Sequence, residues 1–326
     1  MPAPVYFNSM SASWLRATFS GLALMGCAAQ GPTQSARQVP AQPPAPTAVS
    51  SHPPASSSAA ATNAPAPTLP APPEPRPCGA LDCLAFATPR AAFEYVLRSQ
   101  PRVLAIGEAH AQQSSAGIRS STRRFAEQLL PLLAGKSKHI VIELLLANCS
   151  KKTVERTTQT QAPVTEHQAA SNQNEFLALG KVAQRLGIEP QALAPTCAEY
   201  DRATASGEDG VAQLLALVAR QTQSSVEALL AKPDTSGEPI LTYGGALHND
   251  LSPRPGQESW SFGPQLSLAT QGRYVELDLI VPEFVKDTEA WRAMPWFGAF
   301  DREHLTAETL LYRPSASSFA LIFPKT

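Results

Sequence analysis

The stretch Arg102-Val103-Leu104-Ala105-Ile106-Gly107-Glu108-Ala109-His110 decides the fold. Its apolar run, Arg102 to Ile106, reads as a short strand. Polar groups then appear where the strand runs out. Two other segments share this grammar. His139-Ile140-Val141-Ile142-Glu143-Leu144-Leu145-Leu146 is a second apolar run, interrupted by Glu143. Pro239-Ile240-Leu241-Thr242-Tyr243 leads into Gly244-Gly245-Ala246-Leu247-His248-Asn249-Asp250. Further strands are expected near 191–197, at 274–281 and at 318–323. Helical spacing appears over 117–134, through Phe125, Leu129, Leu130 and Leu133, and again near 173–187 and 209–231. Thr88-Pro89 reads as an N-cap followed by a first-turn proline, opening a helix to about Ser99. Residues 150–172 read as a polar loop, long enough to act as a lid. Strands alternating with helices predict an α/β domain: a mainly parallel sheet, helices on both faces, and a site at the C-terminal strand ends. No internal repeat of solenoid period is present.

The N-terminal quarter is of a different kind. Residues 1–26 carry one charge, Arg16, ahead of a short apolar stretch ending in Leu24-Met25-Gly26-Cys27. A positive start, a short apolar core and a small residue before the cut describe an export signal. Residues 28–77 are almost wholly Ala, Pro, Ser, Thr and Gln, with Arg37, Glu74 and Arg76 the only charges. Such a composition cannot offset the entropy of ordering, so residues 27–77 are expected to form an extended tether. Fully extended at ~3.1 Å per residue, it reaches on the order of 150 Å. A single folded domain, residues 78–326, remains.

The chain of 326 residues has 26 Lys+Arg against 27 Asp+Glu. That balance lacks the clustered basic charge that nucleic acid requires. The folded part holds Cys78, Cys83, Cys149 and Cys197. An even count in an exported chain reads as two disulfides, the local pairing being Cys78–Cys83 and Cys149–Cys197. The second closes a loop of about 47 residues, worth ~4 kcal/mol in the chain-entropy model. The spacings lack the paired C-x₂₋₄-C pattern of a zinc site.

Candidate chemistry lies at the three strand ends. Glu108 and His110 are two apart, so in extended backbone they point to one side. A carboxylate beside an imidazole suits proton transfer or metal binding. Glu143 is costly in an apolar strand unless paired, coordinated or protonated. The pattern G-x-x-H occurs at Gly107–His110 and again at Gly245–His248. A lone histidine at a strand end is most often a cap; two in this pattern after strands point to a site. Tyr243 and Asn249, beside His248, are candidate ligand contacts, though a core tyrosine and a turn asparagine explain them as well. Arg119, Arg123 and Arg124 read first as a solvated helix face. His167 falls in the expected loop, His139 starts a strand, and Trp291-Arg292-Ala293-Met294-Pro295-Trp296-Phe297 reads as core or a packed loop.

Two resemblances add to this. Leu24-Met25-Gly26-Cys27 resembles a bacterial lipobox, which implies that Cys27 receives diacylglycerol and becomes the N-terminus, with the chain anchored to a bilayer. Ala28 after Cys27 agrees with sorting to an outer membrane in that class. The order strand-GEAH, strand with a buried Glu, strand-GxxH resembles the erythromycin-esterase, ChaN-like and Tiki–TraB superfamily, over about residues 90–325. The resemblance implies a polar site of Glu108, His110, Glu143 and His248, and a substrate-orienting arginine among Arg119, Arg123 and Arg124. Ala111-Gln112-Gln113 departs from the Gly or Asp often found there in that superfamily.

Three readings follow. The first is a hydrolase that activates water on an ester or peptide, either with Zn²⁺, Mn²⁺ or Fe²⁺ on Glu108, His110, Glu143 and His248, or without metal through histidine and glutamate. The second is a haem- or iron-binding lipoprotein with histidine or Tyr243 as axial ligands. The third is an anchored interaction protein without catalysis. The G-x-S-x-G nucleophile elbow is absent, which disfavours a serine triad.

Overall fold

The computed structural model describes residues 23–25 and 74–326, apart from 116, 147–148, 206, 236 and 304–306. Cys27, residues 27–73 of the expected tether and His304 lie outside the described residues. The strands are β1 (Ala23–Met25), β2 (Arg76–Gly79), β3 (Cys83–Phe86), β4 (Val103–Glu108), β5 (His139–Leu146), β6 (Glu189–Leu193), β7 (Ile240–Gly245), β8 (Tyr274–Ile280), β9 (Thr309–Ser315) and β10 (Ser318–Ile322). The helices are α1 (Pro89–Leu97), α2 (Ser121–Arg124), α3 (Lys151–Thr165), α4 (Asn172–Arg185), α5 (Cys197–Thr204), α6 (Gly210–Leu230), α7 (Gly263–Ala269) and α8 (Glu289–Arg292).

One sheet runs in the order β1-β5-β7-β4-β8-β10-β9-β3-β2, with β6 also paired to β5. Strands β5, β7, β4, β8 and β10 run parallel, while β9, β3 and β2 continue antiparallel. The α/β expectation is met. β1 lies within the run read as the export signal and pairs with Leu144–Leu146 of β5. β2 begins at Arg76, two residues inside the stretch read as tether, and Arg76 bonds Glu308 beside β9.

The central strands are buried on both sides, as their lack of alternation requires. On one face Leu104, Ile106, Ile140, Ile142, Leu241 and Tyr243 pack beneath α1, α4 and the Phe125–Leu133 segment. On the other, Val103, Ala105, Val141, Leu145 and Ile240 pack beneath α5, α6 and α7. Strand parity therefore sends Glu108 to the first face and Glu143 to the second. This division governs the site.

The expected loop 150–172 is a helix over most of its length. Ser150 caps α3 by accepting from Thr153 N–H. The buried stripe of α3 is Thr153, Thr157 and Gln161, spaced at i, i+4 and i+8. Because that stripe is polar, hydropathy gives no helical signal. The expected helix 117–134 begins later, at Ser121, and continues as a π-turn over Phe125–Leu129 and a 3₁₀ turn over Leu130–Leu133. Strands β2, β3 and β9 and helices α5, α7 and α8 had no place in the sequence reading. Both expected disulfides are present, Cys78–Cys83 within the β2–β3 hairpin and Cys149–Cys197 joining the start of α3 to the start of α5.

Candidate functional site

The rim of the sheet is built by rows of residues in register. Glu108 pairs with Gly245 of β7 and with Leu279 of β8; Gly107 pairs with Gly244 and with Asp278. The glycines matter because of what stands beside them. A Cβ on Gly244 would lie 2.4 Å from Glu143 Oε2 and 2.8 Å from Glu143 Cβ. A Cβ on Gly107 would lie 2.6 Å from both Asn249 Oδ1 and Asp278 Oδ1. Only glycine admits these side chains over the strands.

Glu108 and His110 form one pair on the first face. His110 Nδ1 is 2.6 Å from Glu108 Oε1, and both residues are 3% exposed. With a carboxylate as partner, Nδ1 carries a proton, which leaves Nε2 facing the end of β7. The other carboxylate oxygen, Glu108 Oε2, accepts from Thr122 Oγ1 at 2.7 Å and from the Tyr243 hydroxyl. Burial, and then the neighbouring Glu108 charge, push the Tyr243 phenol well above its ordinary range, so it stays a donor. Phe176 of α4 sets the His110 ring from the side, with centroids 5.7 Å apart. Phe125 stacks on Tyr243 at 5.0 Å.

Glu143 and His248 form the second pair on the opposite face. Glu143 Oε2 accepts from Gly245 N–H at 2.6 Å, and Glu143 Oε1 lies 3.6 Å from His248 Nε2. His248 Nδ1 donates to the Trp260 carbonyl at 2.7 Å, which fixes the ring. Its backbone is held by Phe262 N–H and Ser261 Oγ, both donating to His248 O.

The two pairs meet at Gly245. The Cβ position of this residue is 3.3 Å from His110 Nε2, 3.6 Å from Glu143 Oε2 and 3.8 Å from His248 Cδ2. Groups from both faces of the sheet thus converge where β7 ends without side chains. The four residues selected from sequence form one rim. Beside it, on the Glu143 face, lies a cavity with room for about one water molecule, lined in part by Thr222, Thr242, Gly244 and Asn249.

The remaining candidates fall elsewhere. Tyr243 and Asn249 are both at the rim but hold protein groups: Asn249 Nδ2 donates to Ala105 O and Asp278 Oδ1. Arg119 and Arg123 both reach Glu127 on an exposed helix face rather than the rim, which corrects their assignment as ligand contacts. Arg124 is buried, but it binds the Pro324 carbonyl and packs on Phe323, clasping the C-terminal segment. The His167 side chain is 72% exposed and pairs with Glu166. Its backbone carbonyl, however, accepts from Gln113 N–H, and Ala169 N–H donates to Ala111 O, so the α3–α4 connection is tied to the segment after His110. His139 pairs with Glu189 at the opening of β5, away from the strand ends. Trp296 and Phe300 pack on Ile280, Tyr312 and Ile322 in a separate core cluster.

Sequence reasoning missed Thr122, Phe176, Thr242 and the acidic set on β8. Thr242 shares strand parity with Gly244, a signal that was available. Phe176 carried none. On β8, burial first and then the Asp278 charge push Glu276 up to about 9, while burial pushes Asp278 up to about 7. Leu251 N–H donates to Glu276 Oε2 at 2.9 Å.

The expected ligand set does not fit a metal. Both Glu108 oxygens and one Glu143 oxygen are committed to protein donors. Among the described residues no three His, Cys, Asp or Glu side chains are grouped to hold an ion. No protein-family model, curated protein or solved structure matches the chain.

Proposed function

We propose that the chain is an exported, lipid-anchored hydrolase whose two Glu–His pairs perform acid–base chemistry on an ester or peptide bond. The observation that carries this is the convergence at Gly245 of His110, Glu143 and His248, arriving from opposite sheet faces. Acid–base hydrolysis needs one group to take a proton and another to give one on either side of the reacting carbon. Here one pair takes a proton from water as its oxygen bonds to the carbonyl carbon. The other pair gives a proton to the leaving oxygen or nitrogen as its bond to that carbon breaks. The products share the elements of water, and nothing is oxidised or reduced. Glu108 orients His110, and Thr122 and Tyr243 hold Glu108.

The order of the three strand ends supports a kinship with the erythromycin-esterase, ChaN-like and Tiki–TraB superfamily. The two disulfides support an oxidising compartment, in keeping with lipidation at Cys27 and a tethered domain. The test is turnover of a panel of small esters and peptides by the full chain. Wild type is expected to hydrolyse at least one class, and His110→Ala to lower kcat by about 10²–10⁴-fold. Equal rates in wild type and His110→Ala, or no turnover across the panel, would remove the hydrolase reading.

A further inference from the structure

The cavity on the Glu143 face brings together three buried oxygens that have no hydrogen-bond partner among the described residues: Glu143 Oε1, Thr242 Oγ1 and Asn249 Oδ1. Buried oxygens of this kind are ordinarily satisfied by an internal water where space allows. Their chemistry can be counted. Glu143 Oε2 is taken by Gly245 N–H, so Oε1 is the oxygen left to accept. The Asn249 amide is fixed in orientation, because its Nδ2 donates to Ala105 O at 3.3 Å and to Asp278 Oδ1 at 3.1 Å. Its Oδ1 therefore accepts only. Thr242 Oγ1 can donate. One water giving its two protons to Glu143 and Asn249, and accepting from Thr242, satisfies all three. A hard cation would need about six oxygen ligands, and three are offered.

We propose that this cavity binds one ordered water, and that this water is the nucleophile of the hydrolysis, with Thr242 and Asn249 as positioning residues. The second half of the proposal rests on the hydrolase reading. In the step, Glu143 Oε1 takes a proton from the water as its oxygen bonds to the acyl carbon. The bond from that carbon to the leaving oxygen breaks, and His110, which enters the step protonated on both ring nitrogens with Glu108 facing Nδ1, supplies its Nε2 proton to that oxygen. Solvent later returns a proton to His110 and removes one from Glu143, so the cycle closes. The two faces of the sheet thereby take different roles, base on one and acid on the other.

Crystal structures of the full chain as wild type, Thr242→Val and Thr242→Ser test the binding site. Hydrolysis of p-nitrophenyl acetate by the same proteins, read as kcat and KM separately, tests the role. Wild type is expected to show water density ~2.7–3.2 Å from the three oxygens. Thr242→Val, which keeps the shape but loses the hydroxyl, is expected to lose the water and about 100-fold in kcat at unchanged KM. Thr242→Ser is expected to restore both. An absent density in wild type overturns the site even if hydrolysis proceeds. Loss of the water in Thr242→Val without loss of kcat overturns the nucleophile role. Density in a wild type that turns over no ester removes that role together with the hydrolase reading and leaves a structural water.

Discussion

Gly244 and Gly245 are neighbours, yet a methyl group on each has a different consequence. At Gly244 it would strike Glu143 at 2.4 and 2.8 Å, the second contact being with Cβ, which cannot swing aside as the carboxylate can. Gly244→Ala is therefore expected to destabilise the domain by about 1–3 kcal/mol, visible as a lowered melting temperature. At Gly245 its nearest neighbour is His110 Nε2, at 3.3 Å. Gly245→Ala should fold with a melting temperature close to wild type and lose ester turnover, because the methyl group occupies the place of the reacting atoms. A variant that melts normally and still turns over would place the chemistry elsewhere. Glu108→Gln tests orientation in another way. The amide keeps polar contact with Thr122 and Tyr243 but no longer fixes the His110 proton on Nδ1, so kcat should drop on the order of 10²-fold or more with an altered pH profile. The residues of the rim were legible in sequence because Glu108, Glu143, His110 and His248 break an apolar pattern. Thr122 and Phe176 were not, since each sits on a helix and reaches the site only through tertiary packing.

At the scale of the element, α3 shows where pattern reading stops. Its buried face is threonine and glutamine, and it carries Pro163. It is a helix because Ser150 caps it, because Cys149 ties its start to α5, and because α6 approaches closely. A Cβ on Gly210, at the start of α6, would lie 2.6 Å from Thr160 Cγ2. The covalent tie spans 48 positions. Cys149→Ser with Cys197→Ser is expected to cost about 2–4 kcal/mol and to expose α3 first to proteolysis, read by the order of cleavage sites. Cleavage that begins elsewhere would show α3 to be held by packing alone. The connection from α3 to α4 bonds to the segment after His110, so the same double variant should also lower turnover. The arginines after GEAH were misplaced for a related reason: helical spacing gives a face but not its partner, and here Glu127 and the C-terminal carbonyl at Pro324 take them.

For the whole molecule, the parallel centre of the sheet was legible because buried strands are uninterrupted apolar runs. The antiparallel flank of β9, β3 and β2 was not, since β9 and β2 carry proline and polar residues that resemble loops and β3 is only four residues long. The buried acids of β8 set the pH response of the domain. Glu276 and Asp278 titrate higher in the fold than in the unfolded chain, so the folded state binds more protons between about pH 4 and 9. Their contribution is fully favourable below the unfolded carboxylate range and is lost as pH rises through about 7 and then 9. Denaturant midpoints are thus expected to fall from pH 5 to pH 9, and Glu276→Gln should flatten the upper part of that decline; an unchanged slope would assign it to other groups. The bare end of β7 carries one more implication. A sheet ordinarily insulates the helices above it from those below, and here the wall has a window. Any shift in how α4 or α6 seats on its own side alters the spacing across that window, so the rate of reaction would register the relative seating of the two helical layers.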